Sequence, residues 1–338
     1  MKVATALVSG QRPEAELAQA AVEAALAAAG LVRADNVILF LSHDFNRNPQ
    51  PAVLAAARAA GCLSVSGSTA SGLFTERGWR LDQPTAAALV YATPAGHAPA
   101  ESPLLSFSGH SRLPFAWQDD VERVGLLDSE AATWSHGRTA DNACAEFQLP
   151  GVNARLVRSS GQRLLGEPQT VEQCAGYELR RLGGHSAADS LRRALPADLR
   201  ERPPLHLIAA LRQSDAPGIA LLSANADGSL TLAETINEGE TIIWAIRQPL
   251  AAEQEMREAL TTTVNREKPP NFALMLSCIG RGPLFYGNDD RDLLAFRDTF
   301  PDTPLLGAYG TGQIAPLAGH NRLFHNTALT LLFESAHV

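Results

Sequence analysis

Lysine is almost missing from this 338-residue chain: of 28 basic residues only Lys2 and Lys268 are lysines, and the rest are arginines. No run of them could track a phosphate backbone, and the formal net charge is −8. Nucleic acid is thereby excluded as a partner class. Cysteine is scarce as well. Cys62, Cys144, Cys174 and Cys278 are scattered without a C-x-x-C pair. That excludes a disulfide framework and a structural zinc site, and it predicts a reducing, cytoplasmic setting. No apolar run reaches the ~18 residues that a membrane helix needs. The N-terminal stretch Val3–Val8, interrupted by Thr5 and followed by Gly10-Gln11-Arg12-Pro13-Glu14, lacks a cleavage site and predicts a first strand rather than a signal peptide.

Signatures of common chemistries are absent too. No G-x-S-x-G elbow and no H-E-x-x-H occur. Gly67-Ser68-Thr69-Ala70-Ser71-Gly72 lacks the Lys-Ser/Thr of a phosphate-binding loop, and Gly307–Gly312 has the wrong spacing for a dinucleotide turn. ATP and NAD are therefore not expected ligands.

What is present is an α/β pattern that occurs twice. Pro13-Glu14 opens a helix that Gly30 closes, with a predicted inner stripe of Leu17, Ala21, Ala24 and Ala28. Asn36–Ser42 is a continuous apolar run, the mark of a strand buried on both faces. A helix over Pro51–Ala60, a short strand from Leu63, the glycine-bounded segment Gly67–Gly72 and a strand over Ala86–Tyr91 follow. Near the C-terminus the order returns: strand Asn271–Ser277, helix Asp290–Phe300, strand Pro304–Leu306, glycine-bounded segment Gly307–Gly312 and strand Thr327–Phe333. This aligns Ser42 with Ser277, and Gly67/Gly72 with Gly307/Gly312. The expected fold is α/β with two similar halves, each a mixed sheet flanked by helices, from an internal duplication. Arg200–Pro204, rich in charge and proline, is the predicted linker, dividing the chain into residues 1–200 and 201–338. A hairpin is predicted around Ala175-Gly176, and residues 95–140 read as long connections.

Several segments together resemble the FIST family, a sensory domain of bacterial signalling proteins. They are Gly67–Gly72, Ser160-Gly161-Gln162-Arg163-Leu164-Leu165-Gly166, Leu182-Gly183-Gly184-His185-Ser186-Ala187, Ser277-Cys278-Ile279-Gly280-Arg281-Gly282 and Gly307–Pro316, with Phe324-His325-Asn326-Thr327 before the last strand. The ordered set runs from about residue 35 to residue 333 and implies a FIST N-like half followed by a FIST C-like half. Two departures stand out. The family usually has Gly-Glu-Ile where this chain has Gly312-Gln313-Ile314, so a carboxylate has become an amide, and Gln162 stands where a cysteine often precedes the arginine. The resemblance implies signal transduction through reversible binding of a small molecule, an amino acid or other small carboxylate, and not catalysis. Because the chain ends shortly after its last strand, output is expected through a separate partner such as a histidine kinase. Some family members are reported to bind haem and sense nitric oxide, so haem is the alternative cofactor; otherwise none is expected.

From the residues themselves, the glycine segments read as turns that present N–H and hydroxyl donors to a ligand. The candidate ligand-binding residues are Gly67, Ser68, Thr69, Tyr309, Gly310, Thr311 and Gln313, with Arg281 as the charged anchor for an anionic group because its planar fork grips a carboxylate. Arg163 and His43 are further candidates, the latter also as a haem ligand because it follows a buried strand. Cys278, close to Arg281, is the candidate nucleophile of an enzymatic alternative. No catalytic residue and no metal ligand is assigned.

Overall fold

The apolar run after Asn36 and the one after Asn271 become fully buried central strands of two different sheets. In the computed structural model, which describes residues 1–93, 102–263 and 269–336, the chain is a mixed α/β protein. One compact unit comprises Met1–Ser159 with Met256–Val338, and a second comprises Ser160–Glu255. The predicted linker at Arg200–Pro204 lies inside the second unit, so the compact units divide the chain elsewhere than at residue 200.

The first unit uses one motif three times. The first repeat runs β1 (Val3–Ser9), α1 (Ala15–Ala29), β2 (Asn36–Ser42), α2 (Gln50–Ala60), β3 (Val65–Ala70), the hairpin β4 (Gly72–Thr75) and β5 (Gly78–Arg80), then β6 (Thr85–Tyr91). Strands β2 and β3 are parallel, and β6 returns antiparallel beside β2. The second repeat is shorter: β7 (Leu104–Ser108), β8 (Arg123–Leu127), the hairpin β9 (Thr133–Ser135) and β10 (Arg138–Thr139), then β11 (Cys144–Phe147). Here β7 and β8 form the parallel pair, with β11 beside β7. This repeat occupies the stretch that the sequence presented as connections.

Strand β12 (Val152–Ser159) opens the third repeat. The second unit then intervenes, with β13 (Gln162–Ala175), β14 (Glu178–Leu182), β15 (His185–Ser186), α3 (Ala187–Ala194), β16 (Ile208–Leu211), β17 (Ile219–Ala224), β18 (Leu230–Leu232) and β19 (Thr241–Arg247). These strands make one seven-stranded sheet whose apolar face is buried under Leu191 of α3. The third repeat resumes with α4 (Pro249–Thr263), β20 (Phe272–Cys278), the short α5 (Pro283–Tyr286), α6 (Arg291–Thr299), β21 (Leu305–Gly310), the hairpin β22 (Gly312–Leu317) and β23 (His320–Phe324), and β24 (Ala328–Ser335). Its parallel pair is β20 with β21, flanked by β24.

Each parallel pair is completed by the hairpin of another repeat. The three sheet orders are β1-β6-β2-β3-β9-β10, β11-β7-β8-β22-β23 and β12-β24-β20-β21-β4-β5. The cycle therefore closes, and one apolar core, with Phe40, Phe107, Leu126, Phe272, Leu276 and Phe333, is shared by all three sheets. The expected duplication is present in the first and third repeats, each with helices on the outer face of its sheet. Register corrects its alignment by one residue. Leu39 pairs with Gly67 and Met275 with Gly307, so Ser42 corresponds to Cys278 and Leu41 to Ser277. Helix α1 is also turned from expectation, burying Ala18, Ala21, Val22, Ala25 and Leu26. A helix so rich in alanine offers little contrast from which to choose a face.

Candidate functional site

The two glycine-bounded segments are not turns. Gly67, Ser68 and Thr69 lie within β3, and Tyr309 and Gly310 within β21, all buried. Their backbone groups are spent on the sheets and do not form an anion cradle. Glycine is needed for close approach instead: a Cβ on Gly67 would stand 1.9 Å from the Leu39 carbonyl oxygen, and one on Gly125, at the matching register of β8, 1.7 Å from that of Ser106. At Gly310 a Cβ would press on Leu126 and the Leu127 carbonyl.

At the end of each parallel pair the chain leaves one sheet for the next, crossing at Ser71 in the first repeat, after Leu127 in the second and at Thr311 in the third. The crossings adjoin. Ser71 N–H donates to Tyr309 O at 3.0 Å, and Thr311 N–H to Leu127 O at 3.0 Å. The two glycine-bounded segments thus end beside one another, but of their candidate residues only Thr311 stands at this place. The buried Asp128, just past β8, accepts from Ser71 N–H and Ser71 Oγ, both at 2.7 Å and both on Oδ2. His43 Nε2 is 2.9 Å from the same oxygen, near enough to pair when protonated but off-line for a hydrogen bond. His325 Nδ1 meets Thr311 O at 2.9 Å. Cys278 Sγ lies 4.0 Å from Thr311 O and from Asn326 Oδ1. Thr311 and His325 are exposed, and Ser71 and His43 half-buried. The carboxyl ends of parallel strands from three sheets thus gather hydroxyls and imidazoles around one buried carboxylate, where α/β proteins collect ligands.

Arg281 is not available as an anchor. It is 1% exposed, and its Nε and Nη2 grip Asp292 at 2.7 and 2.9 Å. Nη1 donates to Ser159 O and Nη2 also to Ser159 Oγ, at 2.7 and 2.6 Å. A guanidinium so buried must be paired, and its fork is filled from within the chain. Tyr309 is withdrawn as well: fully buried, its ring packs tilted against that of Phe74 and its hydroxyl donates to Asp290, the N-cap of α6. Burial and the nearby Asp292 push the Asp290 carboxyl up to about 6, and burial raises the Tyr309 phenol well above its ordinary value.

The remaining candidates scatter. Arg163 is an exposed residue of β13 in the second unit, not part of a turn. Thr69 accepts from Ala132 N–H and donates to Asn46. Gln313 is buried in β22, and neither atom of its amide has a hydrogen-bond partner among the described residues. His43 faces Asp128, so an axial haem role would require Nε2 to leave that acid. No group of three or more metal-ligating side chains gathers among the described residues, and no helix there is long and apolar enough to cross a membrane. A separate cavity of about 460 Å³, with Leu104, Val124, Ala154, Leu156 and Leu331 on its wall, holds none of the candidates.

The sequence alone assigned no role to Asp128, Ser71 or His325, although Ser71 and His325 stand inside the family-like segments and Asp128 follows the apolar run Val124–Leu127 at a strand end.

Residues 187–316 match the FIST C domain. The chain is also 30% identical over 200 residues to an uncharacterized protein of Mycobacterium tuberculosis, covering 55% of this chain and 52% of that one. An uncharacterized protein of Mycobacterium bovis is 30% identical over 202 residues, with the same coverage. The chain thus matches these curated relatives over about half of their length.

Proposed function

We propose that this protein is a sensory module that reversibly binds a small metabolite at the junction of the three sheets and passes the signal to a separate partner, such as a histidine kinase. The match to the FIST C domain supports the sensory part. The observation that carries the binding part is the convergence of Ser71, Asp128, His43, Thr311 and His325 where three parallel strand pairs end. An amino acid suits this set: its ammonium would meet Asp128, and its carboxylate the two imidazoles at the rim. His43 and His325 take the carboxylate-binding role that the sequence assigned to Arg281. Binding rather than catalysis is favoured because the thiol of Cys278 is buried against a carbonyl and an amide oxygen.

A thermal-shift screen over amino acids, small carboxylates and haemin tests the reading. A ligand at 100 times its dissociation constant stabilises the folded state by ~2.7 kcal/mol. The expected result is a rise in Tm with an amino acid that Asp128→Asn abolishes. A Soret band with haemin, and no response to any amino acid, would replace this reading with a haem sensor.

A further inference from the structure

Beneath the hydroxyl-and-acid ring, two further polar side chains lie buried toward the core. Two residues further along the crossing strands lies a second layer that faces the shared interior. Leu73 and Leu126 belong to that core, and Gln313 pairs directly with Leu126, which places its side chain on the same face. Thr133 pairs with Ser68, whose face is that of Ala70 in the same core, while Trp134 turns outward to the helices. Gln313 is 0% exposed and Thr133 1%. Both ends of the Gln313 amide and the Thr133 hydroxyl lack a hydrogen-bond partner among the described residues. Unpaired buried polar atoms are costly, and two of them at one depth of one cycle is not how an apolar core fills itself.

We infer that the ligand of the junction carries an amine for Asp128 and, about 7 Å deeper, a neutral hydrogen-bonding group, an amide or a hydroxyl, that Gln313 and Thr133 receive. The depth is two residues of strand rise, from Thr311 to Gln313. This rests on the site proposed above. The Asp128 side-chain contacts fall on Oδ2, leaving Oδ1 without a partner among the described residues. The deeper group must be neutral because the side chains at its level, Ser68, Leu73, Leu126, Thr133, Ala308 and Gln313, include no cation. A carboxylate there would lose its hydration without a countercharge. An apolar end would leave the amide unpaired, the case in which a polar site discriminates most strongly.

Calorimetry and thermal shift with three amino acids of similar size separate the possibilities: L-glutamine, L-glutamate and L-methionine. Wild-type protein should bind glutamine at least tenfold more tightly than either of the others. In Gln313→Leu the advantage over methionine should vanish, while the ligand-free protein melts at a higher temperature because an unpaired amide has gone. Thr133→Val should reduce the advantage by a smaller factor. Equal binding of all three by wild type, or an unchanged glutamine-to-methionine ratio in Gln313→Leu, overturns the inference and leaves the junction site standing. No binding of any of the three overturns the amino-acid reading and the inference together. Asp128→Asn should weaken all three alike; selective loss of one would misplace the amine.

Discussion

The first and third repeats place different side chains at the same point of the same fold. Register makes Phe45 the counterpart of Arg281: each ends the single turn of 3-10 helix that follows the first strand of a parallel pair. Phe45 is packed into an apolar cluster with Leu41, Val53 and Trp134. Arg281 in the same position is ringed by Asp292 and Ser159, with Tyr286 donating to Asp292 at 2.9 Å. The flanking strand changes with it, since Val8 of β1 pairs with Ala86 where Ser159 of β12 pairs with Ala328. An apolar plug needs only apolar neighbours. A guanidinium must bring an acceptor for each fork, and those acceptors must themselves be satisfied. The third repeat is therefore the more specified of the two.

That contrast is broken most sharply at Arg281. Arg281→Ala leaves Asp292 buried without its partner, which typically costs ~3–5 kcal/mol. Urea unfolding should show this loss directly. Phe45→Ala should cost a similar ~3–5 kcal/mol, from lost burial and a cavity. The two differ in how they can be rescued. Adding Asp292→Leu to Arg281→Leu should recover most of the loss, because an apolar pair can replace a buried ion pair. If Arg281→Ala instead costs less than ~1 kcal/mol and only weakens ligand binding, the residue is an anchor after all.

A pH dependence follows from the same repeat. The Asp290 carboxyl, raised to about 6 by burial and by Asp292, holds its proton more tightly folded than unfolded. Its contribution is therefore greatest below about pH 4 and is lost as pH rises to about 6. At ~1.4 kcal/mol per pKa unit, the swing for this group is of order 3 kcal/mol. Asp290→Asn, which keeps an oxygen for the α6 cap, should flatten the stability curve between pH 4.5 and 7 relative to wild type by about 2 kcal/mol of that swing. Identical curves for the two proteins would mean that Asp290 ionises as freely as an exposed acid. The first repeat carries no such pair, with Pro49 at the start of α2 where Asp290 starts α6.

Much of this fold was legible. The apolar runs at Asn36 and Asn271, helix closure at Gly30 and Gly61, and the order of elements all follow from periodicity and capping. The second repeat was not, because β7 to β11 are short and no α-helix punctuates them. Strands of two to five residues carry too little alternation to be told from connections. The glycines misled for a related reason. Close strand approach and a positive-φ turn both select glycine, and only register shows that Gly67 meets a neighbouring carbonyl. Arg281 misled because an arginine in a glycine-rich segment looks the same whether its acid is a ligand or Asp292, eleven residues on. The site residues Ser71, Asp128 and His325 become neighbours only when three sheets close on one another.

The smallest expected effect concerns the crossings themselves, which invite a direct comparison. Ser71 and Thr311 occupy equivalent places, but their hydroxyls differ in what they serve. Ser71 Oγ donates to the Asp128 carboxylate at 2.7 Å, whereas Thr311 Oγ1 donates to the Leu127 carbonyl at 3.3 Å on an exposed residue. Hydrogen bonds to charged groups are worth ~1.5–3 kcal/mol, and neutral ones ~0.5–1.5. Ser71→Ala should therefore destabilise by about 2 kcal/mol and Thr311→Val by less than ~1, since water can replace the exposed bond. Asp128 retains the Ser71 backbone N–H in the first variant, so the junction should stay folded. Equal losses at the two positions, by urea unfolding at neutral pH, would show that Asp128 does not depend on the Ser71 hydroxyl and that the two crossings are interchangeable.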